Sequence, residues 1–454
     1  MGRIFGRDGI RGLAVTELTC EFAIQLGRAF VAVMAGNKKS RTKVLIGRDT
    51  RNSADVIEAA LCAGICSAGA DAEVMGEVPT AALAWNIKQR GACGGIMITA
   101  SRGSSEYSGM KLFSHYGYRL GDDRESEIER LIRNNSEELE PKNRREYGNI
   151  LHCESALDDY MNYISDLSAN VDLRGMKIAV DCANGCASYT AEKLFTDLGA
   201  EVIITGSSPD GFNINQTGST NIEDFMSFVT DNECCCGIAF DGAAERCLAV
   251  DENGLLVDGD AIVAVIGEYM SRNENLRHNT ILVTHANNLG LLNFARSKGI
   301  CVSRAPSGER SRLKRMLECS YNLSGDPSGH VLFPDDIPTA DGQLTAVRLL
   351  EVMKKTGRKM SSIENILEKL PQIVISVPIK KELCKVWRKD SVIMGAVNEC
   401  EEMLGNEGRV VVTEIGDEKI IRVLVEGKKF SEINGMAMHI VDTITERMSI
   451  LADI

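Results

Sequence analysis

One layout of residues occurs three times in this chain, and it limits the fold more tightly than any other feature. An apolar run of strand type leads through a turn of small and polar residues into a helix-like stretch; a second apolar run follows, and a third ends in a polar loop. The first copy has these pieces at 44–47, 48–53, 54–68, 69–74 and 95–99. The second has them at 177–181, 182–185, a helix to 198, 199–204 and 237–240. The third has 280–284, 285–288, a helix, 299–302 and a stretch closing on Leu323-Ser324-Gly325-Asp326-Pro327-Ser328-Gly329-His330. Strands alternating with helices in this way predict α/β layers whose sheets are covered on both faces. Ligands of such sheets bind beyond the strand ends. Three equivalent loops then converge on one cleft, which collects Ser101, Asp241 and His330.

At 454 residues the chain is too long for a single core. The pattern changes after Leu370-Pro371: 372–379 alternates like a strand, 388–404 reads as a helix, 409–413 and 420–426 as paired strands, and 430–448 as a closing helix. The polar stretch 133–147 reads as a linker with a solvated, charged face. The expected fold class is α/β, with three similar mixed-sheet α/β/α domains at 1–150, 151–252 and 253–370. A smaller α+β C-terminal domain follows at 371–454, and the four surround a central cleft.

Bulk charge removes some functions. A net charge of −13 argues against a general binder of nucleic acid or of anionic membranes, while leaving room for a local basic pocket. No uncharged apolar run reaches transmembrane length and no basic, apolar leader opens the sequence, so a cytoplasmic protein is expected. Fifteen cysteines, an odd number, are scattered among apolar neighbours or bunched at Cys234-Cys235-Cys236. That usage predicts reduced thiols packed as small hydrophobes, without a disulfide framework.

The third strand of the first copy carries the chemistry. Its apolar run empties into Thr99-Ala100-Ser101-Arg102-Gly103-Ser104, small and turn-forming residues that present Ser101 at a strand end. Ten residues on, Lys111 precedes Leu112 and Phe113, so a second strand can return an ammonium toward the serine. A hydroxyl beside a cation suits phosphoryl transfer, which is mostly positioning and charge stabilisation. Taken alone, the stretch also fits a plain surface turn with a solvated lysine; its company separates the two readings.

That company resembles the α-D-phosphohexomutase family over essentially the full length. The resemblance rests on Phe5-Gly6-Arg7-Asp8-Gly9-Ile10-Arg11-Gly12, Gly47-Arg48-Asp49-Thr50-Arg51, the Thr99-Ala100-Ser101 loop with Gly109-Met110-Lys111, and Val180-Asp181-Cys182-Ala183-Asn184-Gly185. It continues through Phe212-Asn213-Ile214-Asn215 with Gly218-Ser219-Thr220, Ala239-Phe240-Asp241-Gly242 with Arg246-Cys247-Leu248-Ala249-Val250-Asp251, and Ser328-Gly329-His330. It implies a phosphoserine at Ser101, a Mg²⁺ held by its phosphate and three carboxylates, and a small phosphosugar partner, here of the amino-sugar type. It also implies Lys111 as base or acid, Arg11 and Arg246 on phosphate or proton transfer, and Asp326, Ser328 and His330 on sugar hydroxyls. Family members are often homodimers, so a homodimer is a further expectation, with an apolar surface on the first domain as its place.

Three departures bear on activity. The metal loop presents Asp241, Ala243 and Glu245, so one carboxylate is absent and another is a methylene longer, which predicts a weakened Mg²⁺ site. Where the family has His-Asn-Pro after the serine, this chain has Arg102-Gly103-Ser104; Arg102 is expected to hold an anion at Ser101 and to substitute in part for the metal. Where the family has Arg-Pro-Ser-Gly-Thr-Glu-Pro between two strands, this chain has Thr413-Glu414-Ile415-Gly416-Asp417-Glu418-Lys419. Gly416, Lys419 and the neighbouring Arg422 are left as a degraded phosphate-binding set. An opposite or like unit charge at contact distance is worth about 4 kcal/mol at the dielectric of a protein surface, so changing its sign should cost several powers of ten in affinity. The expectation is a mutase with reduced or lost turnover; the alternatives are a non-catalytic regulatory or ligand-binding paralogue, and transfer chemistry on a different ligand.

Overall fold

The computed structural model describes residues 4–6, 8–36, 41–134, 139–141, 146–380, 386–415 and 420–452. The first sheet has six strands in the order Ile10–Leu13, Tyr107–Ser114, Gly94–Ile98, Lys43–Arg48, Asp71–Glu77 and Ile150–His152. Lys43–Arg48 and Gly94–Ile98 are buried throughout their interiors because helices such as Cys20–Ala35 and Thr80–Gln89 cover the sheet. The sheet is mixed: Gly94–Ile98 runs parallel to Lys43–Arg48 and antiparallel to Tyr107–Ser114, with Met97 opposite Lys111. This pairing carries the ammonium back beside the strand that leads to the serine.

The second sheet repeats the plan with five strands, ordered Leu256–Val257, Cys247–Asp251, Cys236–Phe240, Lys177–Asp181 and Glu201–Thr205. The edge strands Ile150–His152 and Leu256–Val257 show that the first two sheets reach past residues 150 and 252. The third copy is thinner. Thr280–Val283 pairs in parallel with Cys301–Arg304, and the third strand expected at 323–330 reduces to Ser324, bridged to Leu282 and Leu332. Pro327, which has no N–H to donate, and Gly329 at φ +80° stop the ladder there.

Gln372–Pro378, Ile420–Gly427 and Gly408–Ile415 form an antiparallel sheet on which Ser391–Leu404 and Phe430–Ala452 pack, giving the expected α+β domain. One continuous apolar core runs from Met97 through Phe240 and Ile281 to Leu350, tying the first three domains together, whereas the last has its own core around Val423 and Ile440. Among the described residues the cysteines are free thiols, and no helix is long and apolar enough to cross a membrane. Of the expected linker, 135–138 and 142–145 lie outside the described residues.

Candidate active site

Ser101 sits at φ +50°, a left-handed conformation that costs a non-glycine residue on the order of 1 kcal/mol or more and persists only where neighbours over-determine it. Those neighbours are visible. The Ser101 amide donates to Thr99 Oγ1 at 2.8 Å, and that hydroxyl donates to Asp49 Oδ2 at 2.6 Å. Arg51, wholly buried, donates through Nε to both Asp49 oxygens (2.8 and 3.0 Å) and through a terminal nitrogen to the carbonyls of Ser104 (3.0 Å) and Tyr107. From the second domain, Asn215 donates to the carbonyls of Ser101 (2.8 Å) and Gly103 (3.0 Å), while its Oδ1 accepts the Gly242 amide at 2.8 Å. One side chain thereby registers the serine loop against the acidic loop.

The acidic loop joins Cys236–Phe240 to Cys247–Asp251, and the turn of that hairpin aims its acids at the serine. Asp241 Oδ1 accepts the amides of Glu245 (2.7 Å) and Arg246 (3.1 Å); its Oδ2 lies 3.0 Å from Ser101 Oγ and 3.1 Å from an Arg246 guanidinium nitrogen. The same nitrogen is 3.3 Å from Ser101 Oγ. Glu245 Oε2 also lies 3.0 Å from Ser101 Oγ, and Lys111 Nζ bonds both Glu245 oxygens, at 2.6 Å to Oε2 and closer to Oε1. Burial alone would raise the Glu245 carboxyl, but the ammonium more than offsets it and holds the group down at about 2.

This donor set does not fit the Mg²⁺ that the family resemblance implies. Position 243 offers a buried methyl, and the Ala243 carbonyl accepts the Thr80 amide at 3.2 Å. The oxygens of Asp241 and Glu245 are already bonded to Lys111, Arg246, Ser101 and backbone amides. No group of three metal-ligating side chains is poised together among the described residues.

On the third-domain side, Arg312 donates to His330 Nδ1 at 2.7 Å and to the His330 carbonyl at 2.9 Å. A guanidinium has no acceptor, so Nδ1 accepts, and the ring is neutral with its proton on Nε2, 3.5 Å from Glu309 Oε2. Burial first, and then Arg312, push His330 well below its ordinary value. Asp326 accepts from the Ser328 hydroxyl (2.6 Å) and from Arg312 (3.2 Å), and Arg246 Nε reaches Ser328 Oγ at 3.2 Å. The serine, acidic and Ser328 loops thus meet through Arg246.

A cavity of about 480 Å³ lies over this meeting point, lined among others by Arg11, Ser101, Arg102, Lys111, Arg246 and His330. Two lining groups, Arg119 and Glu309, have no counterpart in the motif reading, and a third, Glu414, comes from the altered tail segment. Arg119 is buried, its Nε has no hydrogen-bond partner, and its guanidinium stands 5.7 Å from the Phe113 ring. Glu309 and Arg312 enter from one helix, Glu309–Cys319, and the acid followed by a base one turn later, just after Gly308 at φ +108°, was a readable signal. Asn215 lay inside a quoted motif, but its partners are far away in sequence. Gly416 and Lys419 lie outside the described residues, and Arg422 stands on the strand opposite Thr413.

Family models for phosphoglucomutase/phosphomannomutase α/β/α domains I, II and III match residues 2–139, 158–254 and 258–370. A phosphoglucosamine mutase of Acetivibrio thermocellus is 41% identical over 449 residues, covering 99% of this chain and 100% of that protein. One of Clostridium novyi is 40% identical over 448 residues, covering 98% and 99%. Among solved structures, a phosphoglucomutase/phosphomannomutase family protein of Burkholderia thailandensis superposes with a TM-score of 0.82 at 23% identity, covering 98% of this chain and 97% of that one.

Proposed function

The chain belongs to the phosphoglucomutase/phosphomannomutase family, and on that premise we propose that its cleft takes a hexosamine phosphate with Ser101 as phosphoryl carrier. The reaction interconverts glucosamine 6-phosphate and glucosamine 1-phosphate, as the names of the similar phosphoglucosamine mutases suggest, with turnover reduced by the altered loops. The observation that carries this reading is the convergence on Ser101 Oγ of Asp241, Glu245 and Arg246, within 3.0 to 3.3 Å, from a loop 140 residues or more away in sequence.

In the first transfer, a bond forms between a sugar hydroxyl oxygen and phosphorus as the phosphorus–Oγ bond breaks, and the hydroxyl proton ends on Ser101 Oγ. The resulting sugar bisphosphate then returns its other phosphoryl group to Ser101 Oγ, with the proton moving the opposite way, and leaves as the isomeric monophosphate. Asp241, 3.0 Å from Oγ, is placed to relay the proton. Lys111 is engaged as an ammonium by both Glu245 oxygens, so its part is to stabilise charge. Arg246, 3.3 Å from Oγ, is a second cation for the phosphate. His330, with Nδ1 occupied by Arg312, can only donate, which suits a sugar oxygen.

A second reading, a ligand-binding paralogue without turnover, is favoured by the methyl of Ala243 and the closed Lys111–Glu245 pair. Intact-mass measurement and a coupled assay with glucosamine 6-phosphate and the sugar bisphosphate decide between them. A phosphate removed by Ser101→Ala, together with slow turnover, supports the mutase. A phosphorylated but inert protein supports the paralogue, and an unphosphorylated, inert protein overturns the carrier role.

A further inference from the structure

We propose that an anion beside Ser101 is held by the protein's own cations, Lys111, Arg246 and Arg102, in place of a divalent metal. The inference rests on the family reading of the cleft and concerns how that site grips phosphate. Each carboxylate at the serine already has its own countercharge: Arg246 stands on Asp241 at 3.1 Å, and Lys111 on Glu245 at 2.6 Å. A divalent ion entering between them would have to displace two ion pairs and would find only two carboxylates, where hard Mg²⁺ prefers a fuller oxygen octahedron.

Arg102, next to the serine in the chain, lines the same cavity and makes no ion pair among the described residues. Its strongest electrostatic neighbour is a like charge, Arg246, which pushes the Arg102 guanidinium down ahead of any effect of burial. Two guanidiniums crowded beside a hydroxyl are relieved when an anion lies between them. Once the Asp241 and Glu245 charges are neutralised, Arg102 belongs, with Arg11, to the surplus that a phosphoryl dianion on Ser101 or on the sugar would meet. Of the acids on the cavity's other walls, Glu309 accepts the Thr339 hydroxyl and Glu414 the Trp387 indole N–H at 3.2 Å, while Asp8 remains as an attractive charge for Arg102 and Arg246.

Calorimetric titration of the full chain with glucosamine 6-phosphate, once in EDTA and once in millimolar MgCl₂, tests this without reading turnover. Affinities that agree within about twofold, and that fall roughly tenfold in both buffers for Arg102→Ala but much less for Arg102→Lys, are expected for a charge-assisted contact. Arg102 is exposed on its loop, so the variant keeps the fold. Paramagnetic resonance of added Mn²⁺ gives a second readout, with the ion expected to stay free in solution. Binding that appears only with Mg²⁺, Mn²⁺ immobilised by the wild type and released by Asp241→Asn, or no binding in either buffer would each overturn the proposal. Failure of the mutase reading shows instead as absent turnover with metal-independent binding intact.

Discussion

The two sides of the cleft are held by different means. On the first- and second-domain side, the serine and acidic loops are locked by a relay from Arg51 through Asp49 and Thr99 to the Ser101 amide, and by Asn215 across the domain boundary. The C-terminal side has a separate core and meets the third domain through a few polar contacts. Glu426 is wholly buried, accepts the Leu289 amide at 2.7 Å and pairs with Arg409 at 2.6 Å; Arg409 also donates to the Asn287 carbonyl. The locked side holds Ser101 with Asp241, Glu245 and Arg246 around it, while the other turns Glu414 toward the cavity. Strand order depends on apolar periodicity and backbone hydrogen bonds, whereas ligand charge depends on loop side chains. The second can therefore change while the first stays whole.

The largest effect that would break this contrast is expected from Ser101→Ala, which removes the proposed phosphoryl carrier: protein-bound phosphate and any mutase signal should vanish with the melting temperature nearly unchanged. Next comes Asn215→Ala, which leaves a buried carbonyl, a half-buried carbonyl and one buried amide without their partner. Roughly 2–3 kcal/mol of stability should be lost in denaturant titration, and turnover should drop roughly a hundredfold through misplacement of the loops. On the other side, Arg409→Ala leaves Glu426 buried without its countercharge and is expected to cost about 3 kcal/mol. A hydrogen-exchange map should show the loss concentrated in the last domain; a loss spread evenly over all four would erase the distinction.

Smaller still is a pH effect at the junction. Asp260 accepts from Asn287 Nδ2 (2.6 Å) and from the Asn288 amide (2.7 Å), and burial first, then Asp258, raise its carboxyl to about 7. A raised acid binds more protons in the folded state, so its contribution is most favourable below about pH 4 and declines as pH climbs from there through 7. Melting temperatures from pH 5 to 8 should fall more steeply for the wild type than for Asp260→Asn, and parallel curves would show that Asp260 does not titrate in this range. The smallest change is expected from Glu414→Gln: sugar-phosphate affinity should rise roughly threefold at low salt and by less at 0.5 M NaCl, because a partly solvated charge is screened.

Much of this was readable before any coordinates. The run Gly94–Ile98 is apolar at every position and stops at a string of small polar residues, which is what a central strand ending in a functional loop looks like. The α+β tail declared itself by a change of period after Pro371. The third copy misled, because the stretch closing on 323–330 was matched to the other copies' third strands by its place in the order, although Gly325 and Pro327 already interrupt it. The fate of Glu245 was not readable either. A longer acid in a metal loop suggests a looser ligand, yet its partner is Lys111, 134 residues away, and only the packing of two sheets shows that the carboxylate is spent on an ammonium.

The amino-acid sequence alone determined the layers, the approximate order of the domains and the identity of the residues at each strand end, because periodicity and turn chemistry are local properties. The tertiary structure decided which of those residues touch: Asn215 on the serine loop, Arg246 on Ser328, Lys111 on Glu245. Distances between side chains on different domains depend on how separately folded layers are stacked, and no local pattern along the chain encodes that.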